Sequence, residues 1–85
     1  MHTVEILGYC LDLARRLGYD IRQEWLDGNG GGCILRGRKI LFLDLALGPA
    51  EQLDQVLDTL RHDNDAQTLP MPSQLSELLA VRKSA

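Results

Sequence analysis

Hydrophobic positions recur along this chain with changing period, and each period predicts an element. Over residues 3–17, Val4, Ile6, Leu7, Cys10, Leu11, Leu13, Ala14 and Leu17 share one half of a helical wheel, while Glu5, Asp12, Arg15 and Arg16 take the other. The pattern predicts an amphipathic helix with Thr3 as N-cap, the arginine pair at the negative end of the macrodipole, and Gly18 as the left-handed residue that stops it. From Tyr19 the period drops to two: Tyr19, Ile21, Gln23 and Trp25 alternate with Asp20, Arg22 and Glu24, as in a half-buried strand.

Asp27-Gly28-Asn29-Gly30-Gly31-Gly32 reads as a mobile hairpin loop, after which Cys33-Ile34-Leu35-Arg36 returns as a second strand. Gly37-Arg38 turns the chain again into Ile40-Leu41-Phe42-Leu43-Asp44-Leu45, a nearly continuous apolar run suited to a buried strand. Gly48-Pro49-Ala50-Glu51 opens a second helix, with Pro at its first position and Ala50, Leu53, Val56, Leu57 and Leu60 as its stripe, ending near His62. Pro70 and Pro72 frame a loop before a short helix bearing Leu75, Leu78 and Leu79, and the tail after Val81 is expected to fray. The order α-β-β-β-α-α gives an α+β fold: a three-stranded antiparallel meander with both long helices on one face and the short C-terminal helix against them.

Length and composition fit one small domain. The 85 residues are 45% hydrophobic but only 5% aromatic, so the core is aliphatic and small, and a partner subunit would help it. No apolar run is long enough to span a bilayer, and the N-terminal residues lack signal-peptide character, so a cytoplasmic location is expected, with Cys10 and Cys33 as thiols. The net charge of −3 disfavours nucleic acid. Helix, meander and helix is also the order of double-stranded RNA-binding domains, but the turn that would meet phosphate reads Gly48-Pro49-Ala50-Glu51. The glycine run leads into a strand with no Lys-Ser or Lys-Thr after it, which excludes dinucleotide and P-loop fingerprints.

Candidate chemistry is sparse. Cys33 beside the flexible loop is the more accessible thiol, yet the only histidines are His2 at a terminus and His62 at a helix end, so no catalytic residue and no cofactor is assigned. Asp58 and His62 stand at i and i+4 on one helical face and form the one pair with metal-ligand spacing, a divalent-metal alternative short of the usual three or four donors.

Gly30-Gly31-Gly32-Cys33, Leu35-Arg36-Gly37, Ile40-Leu41-Phe42-Leu43-Asp44 and Gly48-Pro49-Ala50-Glu51-Gln52-Leu53 together resemble a block found in small bacterial proteins of unassigned function, over residues 30–62. The same order of sheet and helix resembles the core of zincin-type metallopeptidases. Where their helix carries His-Glu-x-x-His, this chain reads Asp58-Thr59-Leu60-Arg61-His62. Only His62 matches, and Thr59 replaces the catalytic glutamate, so the resemblance implies a degenerate scaffold without peptidase activity.

The expected function is a non-catalytic protein-interaction or self-associating module. If Leu41, Leu43 and Leu45 face the helices with Cys33, Leu35 and Ile21, then Ile34, Ile40 and Phe42 project from the uncovered face. Arg22, Glu24, Arg36 and Asp44 would rim that apolar centre, giving a patch for a homodimer or a protein partner with Phe42 as anchor.

Overall fold

The computed structural model describes residues 2–28 and 30–80, and the expected fraying after Val81 lies outside them. The chain is α+β, in the order α1 (Thr3–Arg16), β1 (Asp20–Glu24), β2 (Gly31–Leu35), β3 (Arg38–Asp44), α2 (Pro49–Arg61), a 3-10 turn (Asn64–Thr68) and α3 (Ser73–Ala80). Helix α1 ends as its sequence requires. Gly18 takes φ 95°, its N–H bonds Arg15 O, and Tyr19 N–H reaches Ala14 O, the paired bonds of a Schellman motif. Its start lies one residue earlier than expected: Thr3 is helical and His2 is the N-cap, its N–H donating to Glu5 Oε1.

The sheet corrects the expected antiparallel meander. Its order is β1-β3-β2, with β1 parallel to β3 and β2 antiparallel to it, so the sheet is mixed. Two features accompany this order. The most apolar strand, β3, takes the centre, where a neighbour on each side satisfies its backbone. The outer edge of β2 is closed to β1 because α2 lies against it: Gly32 N–H donates to Thr59 Oγ1 at 3.0 Å. The glycine run is therefore a crossover to the far edge of the sheet, with Gly31 and Gly32 inside β2, and not a hairpin loop between paired strands.

The tight hairpin is the next one. Arg36 (φ 52°) and Gly37 (φ 79°) form a two-residue turn with positive φ at both positions, which closes the β2–β3 ladder on the Leu35–Arg38 pair. The register then follows by parity, setting Cys33 opposite Ile40 and Gly31 opposite Phe42, while Ile34 faces Lys39 and Gly32 faces Leu41. Paired residues share a face, so Cys33 and Leu35 belong with Ile40 and Phe42, and Ile34 lies on the helix side. This reverses the expected facing of β2. Leu45, expected to point inward, lies beyond the end of β3 and is exposed.

The core forms between β3 and the helices. Leu41 and Leu43 are buried beneath Ile6, Leu7, Cys10, Leu13 and Ala14 of α1 and Leu53, Val56, Leu57 and Leu60 of α2. Leu75 of α3 closes the far side, and Arg61 Nη2 donates to Leu78 O at 2.7 Å to tie α3 to the end of α2. Each fully buried leucine contributes roughly 1.5–3 kcal/mol against exposure, so a few such residues decide whether the fold holds.

Candidate functional site

The face of the sheet turned away from the helices is built from alternate residues of three strands. Register sets Asp20, Ile40 and Cys33 in one row, Arg22, Phe42 and Gly31 in the next, with Glu24 beside Asp44 at one end and Arg38 beside Leu35 at the other. Phe42 is half-buried and Leu35 is 57% exposed, whereas Ile40 is only 7% exposed. Around Ile40 a hollow of about 280 Å³ is lined by Asp20, Arg22, Leu35, Arg36 and Arg38. Arg22 Nε lies 3.3 Å from Asp20 Oδ2 in an exposed pair, which leaves the hairpin end of this face predominantly basic.

The expected patch is thus partly redrawn. Ile40, Phe42 and Arg22 share the uncovered face, and Arg36 stands at its edge in the turn. Ile34 does not: at 72% exposure it sits on the opposite side, and Leu35 takes its place. Arg38, absent from the expected patch, joins it because it pairs with Leu35. Its neighbour Lys39 points the other way, where Nζ bonds Asp63 Oδ2 at 2.9 Å and Leu17 O at 3.2 Å and lies 5.2 Å from the centre of the Tyr19 ring. The basic run 36–39 is therefore divided between the uncovered face of the sheet and a structural node.

That node is closed by Tyr19, whose hydroxyl donates to Asp63 Oδ2 at 2.9 Å. Burial opposes ionisation of Asp63, but Lys39, the Tyr19 hydroxyl and the Asp65 N–H outweigh it and hold the carboxyl below its usual range. Burial first, then the Asp63 carboxylate, push the Tyr19 phenol up to about 12.

Asp44 is not a rim charge. Its fully buried carboxylate accepts Ala46 N–H at 2.9 Å, Gly28 N–H, and Leu26 N–H at 3.1 Å, and its carbonyl accepts Gln52 Nε2 at 2.9 Å. The Ala46 and Gly28 bonds foremost, against the cost of burial, lower its pKa. It joins the crossover after β1 to the start of α2.

A second concavity, about 530 Å³, runs between β2 and α2 and contains both members of the expected metal pair. His62 Nδ1–H donates to the Asp58 carbonyl at 2.8 Å, and the Asp58 carboxylate stands 3.9 Å from the same nitrogen. The structure therefore brings the two together but engages His62 as a helix C-terminal group. Among the described residues no third His, Cys, Asp or Glu joins them to make a metal-binding group. Thr59 on the same wall is also engaged, accepting from Gly32 N–H and donating to Gln55 O. Of the two thiols, Cys33 is exposed, and Cys10 is buried, which pushes its pKa up to about 11. Among the described residues no helix is long and apolar enough to cross a membrane. No family model, curated protein or solved structure matches this chain.

Proposed function

We propose that this protein is a non-catalytic interaction module that docks a protein partner on the uncovered face of its sheet. The observation that supports the reading is the row around Phe42: an aromatic ring with Leu35 and the rim of Ile40, on a face that no helix covers among the described residues, ringed by Arg22, Arg36, Arg38 and Glu24. An apolar centre within a charged rim is the anatomy of a recognition surface, and arginine and aromatic side chains are its usual anchors. The β2–α2 concavity supports a metal site less well, since among the described residues no third His, Cys, Asp or Glu joins Asp58 and His62 to make a metal-binding group.

The test compares the wild type with Phe42→Asp, its fold verified by circular dichroism. Both are followed by sedimentation up to about 1 mM, where weak interfaces are populated, and by cross-linking in host extract. Wild-type protein should form an associated species, with itself or with another chain, and the variant should lose it. A folded variant with unchanged associations refutes the docking face.

A further inference from the structure

We infer that the partner on this face is a second copy of the chain, packed face to face about a two-fold axis that crosses β3 at right angles at the level of Leu41. The inference rests on the docking reading above and adds the occupant and its orientation. Along the sheet the exposed charges are graded: Arg36 and Arg38 lie at the hairpin end and Glu24 at the other, with Asp20 and Arg22 between them, level with Ile40 and Phe42. A two-fold axis parallel to the sheet plane and perpendicular to the strands maps each level onto its opposite. The hollow above Ile40 then receives Phe42 of the second copy, Asp20 meets its Arg22, and Arg38 comes over the end of the sheet that carries its Glu24. The pattern is complementary to itself only in this antiparallel orientation. With β3 parallel to β3 of the second copy, arginine would face arginine. The arrangement is that of two aligned sheets in a sandwich, and an isologous contact of this kind closes at two copies.

The face is small. Three strands at about 4.8 Å spacing and five to seven residues at about 3.3 Å make roughly 14 × 20 Å, well under the ~800 Å² per partner of a standard stable interface. The dimer is accordingly a weak, reversible one.

Within one protomer Arg38 and Glu24 lie at opposite ends of the sheet, roughly 20 Å apart at strand spacing, so any coupling between them must act between copies. Arg38→Glu and Glu24→Arg are each prepared and checked for fold, and self-association is measured by sedimentation equilibrium at low salt. Each variant alone sets like charges against each other at both symmetric positions and should associate at least about tenfold more weakly than the wild type. In an equimolar mixture of the two, the introduced glutamate of one chain meets the introduced arginine of the other, and the native Arg38 and Glu24 meet at the symmetric position. The mixture should therefore regain wild-type affinity as a heterodimer, and the doubly substituted chain should do so by itself. Single variants that associate like the wild type, or a mixture that stays dissociated while the wild type dimerises, overturn the two-fold arrangement and leave the docking face standing. A wild type that remains monomeric at about 1 mM while Phe42→Asp still loses a cross-linked host protein overturns the second copy as occupant. Failure of Phe42→Asp to change any association removes the docking face itself.

Discussion

Gly32→Ala is the sharpest probe of how this sheet is seated. A Cβ built on Gly32 would lie 2.4 Å from Thr59 Cγ2 and 3.1 Å from Thr59 Oγ1, well inside van der Waals contact. Gly32 has no positive φ, so its backbone accepts alanine and the whole penalty arises from the approach of α2. Overpacking by one methyl costs about 1–3 kcal/mol, and displacing Thr59 sacrifices the Gly32 N–H bond, worth about 1 kcal/mol. The reduced freedom of alanine in the unfolded chain returns about 0.4–1 kcal/mol. The net loss is about 1–3 kcal/mol, against roughly 4–13 kcal/mol expected in total for a domain of this length. Urea unfolding followed by circular dichroism measures it, and the thermal midpoint should fall by about 5–20 °C. Thr59→Ser removes the nearest atom and keeps the hydroxyl, so in that background Gly32→Ala should cost at least about 1 kcal/mol less. Equal cost in both backgrounds, or no cost in either, would refute the claim that Thr59 closes the β2 edge.

Other outcomes follow from the core and the titrating groups. Leu41→Ala empties the fully buried centre of the sheet and should cost about 2–5 kcal/mol by denaturant unfolding. The folded state holds Asp63 ionised below its ordinary pKa, so its stabilisation is complete above about pH 4 and is lost as pH falls through the depressed value; Asp63→Asn should flatten that acid limb of a stability–pH curve. Tyr19 has the opposite sign: its stabilisation is complete below the ordinary phenol pKa of 10.0 and drains as pH rises towards about 12, and Tyr19→Phe should remove that alkaline limb. A thiol reagent at neutral pH should modify Cys33 rapidly and Cys10 only after unfolding, read as one fast thiol in the native protein and two in denaturant.

Much of this architecture is legible from periodicity. The 3.6-residue stripes of α1 and α2 place Leu13, Val56 and Leu60 in the core, and Gly18 and Pro49 mark helix boundaries through backbone conformations that few other residues supply. Strand partnership is less legible, because alternation within β1 or β2 says which residues share a side of one strand and nothing about which strand lies next to it. The parity of β2 against β3 is nevertheless contained in the sequence. A two-residue turn at Gly37 fixes it, whether read from the sequence as Gly37-Arg38 or observed one residue earlier as Arg36-Gly37: partner numbers then sum to an odd value, which puts Cys33 on the side of Ile40 and Phe42. Hydrophobicity alone assigns Leu35 to the helix side, and the turn overrides it. The division between Arg38 and Lys39 follows from the same alternation, but the capture of Lys39 by Asp63, 24 residues away, needs the fold itself. Spacing puts Asp58 and His62 on one helical face, where the structure also has them, but it carries no sign that His62 Nδ1 is taken by a backbone carbonyl.

The mixed sheet has a consequence for the order in which the molecule assembles. Strand β3 acquires one neighbour through a two-residue turn and the other from a segment twenty residues upstream in register, Asp20 beside Ile40. The hairpin closes on a microsecond timescale with little chain to gather, whereas β1 must wait for a loop whose closure costs about 2 kcal/mol more on a logarithmic length law. The Asp44 carboxylate fastens that loop through its bonds to Leu26 and Gly28, which exist only when the crossover is in place. Closure entropy thus favours docking of β1 after the β2–β3 hairpin, and the amides of this edge strand should exchange with solvent by local opening while those of the central β3 await unfolding of the whole domain.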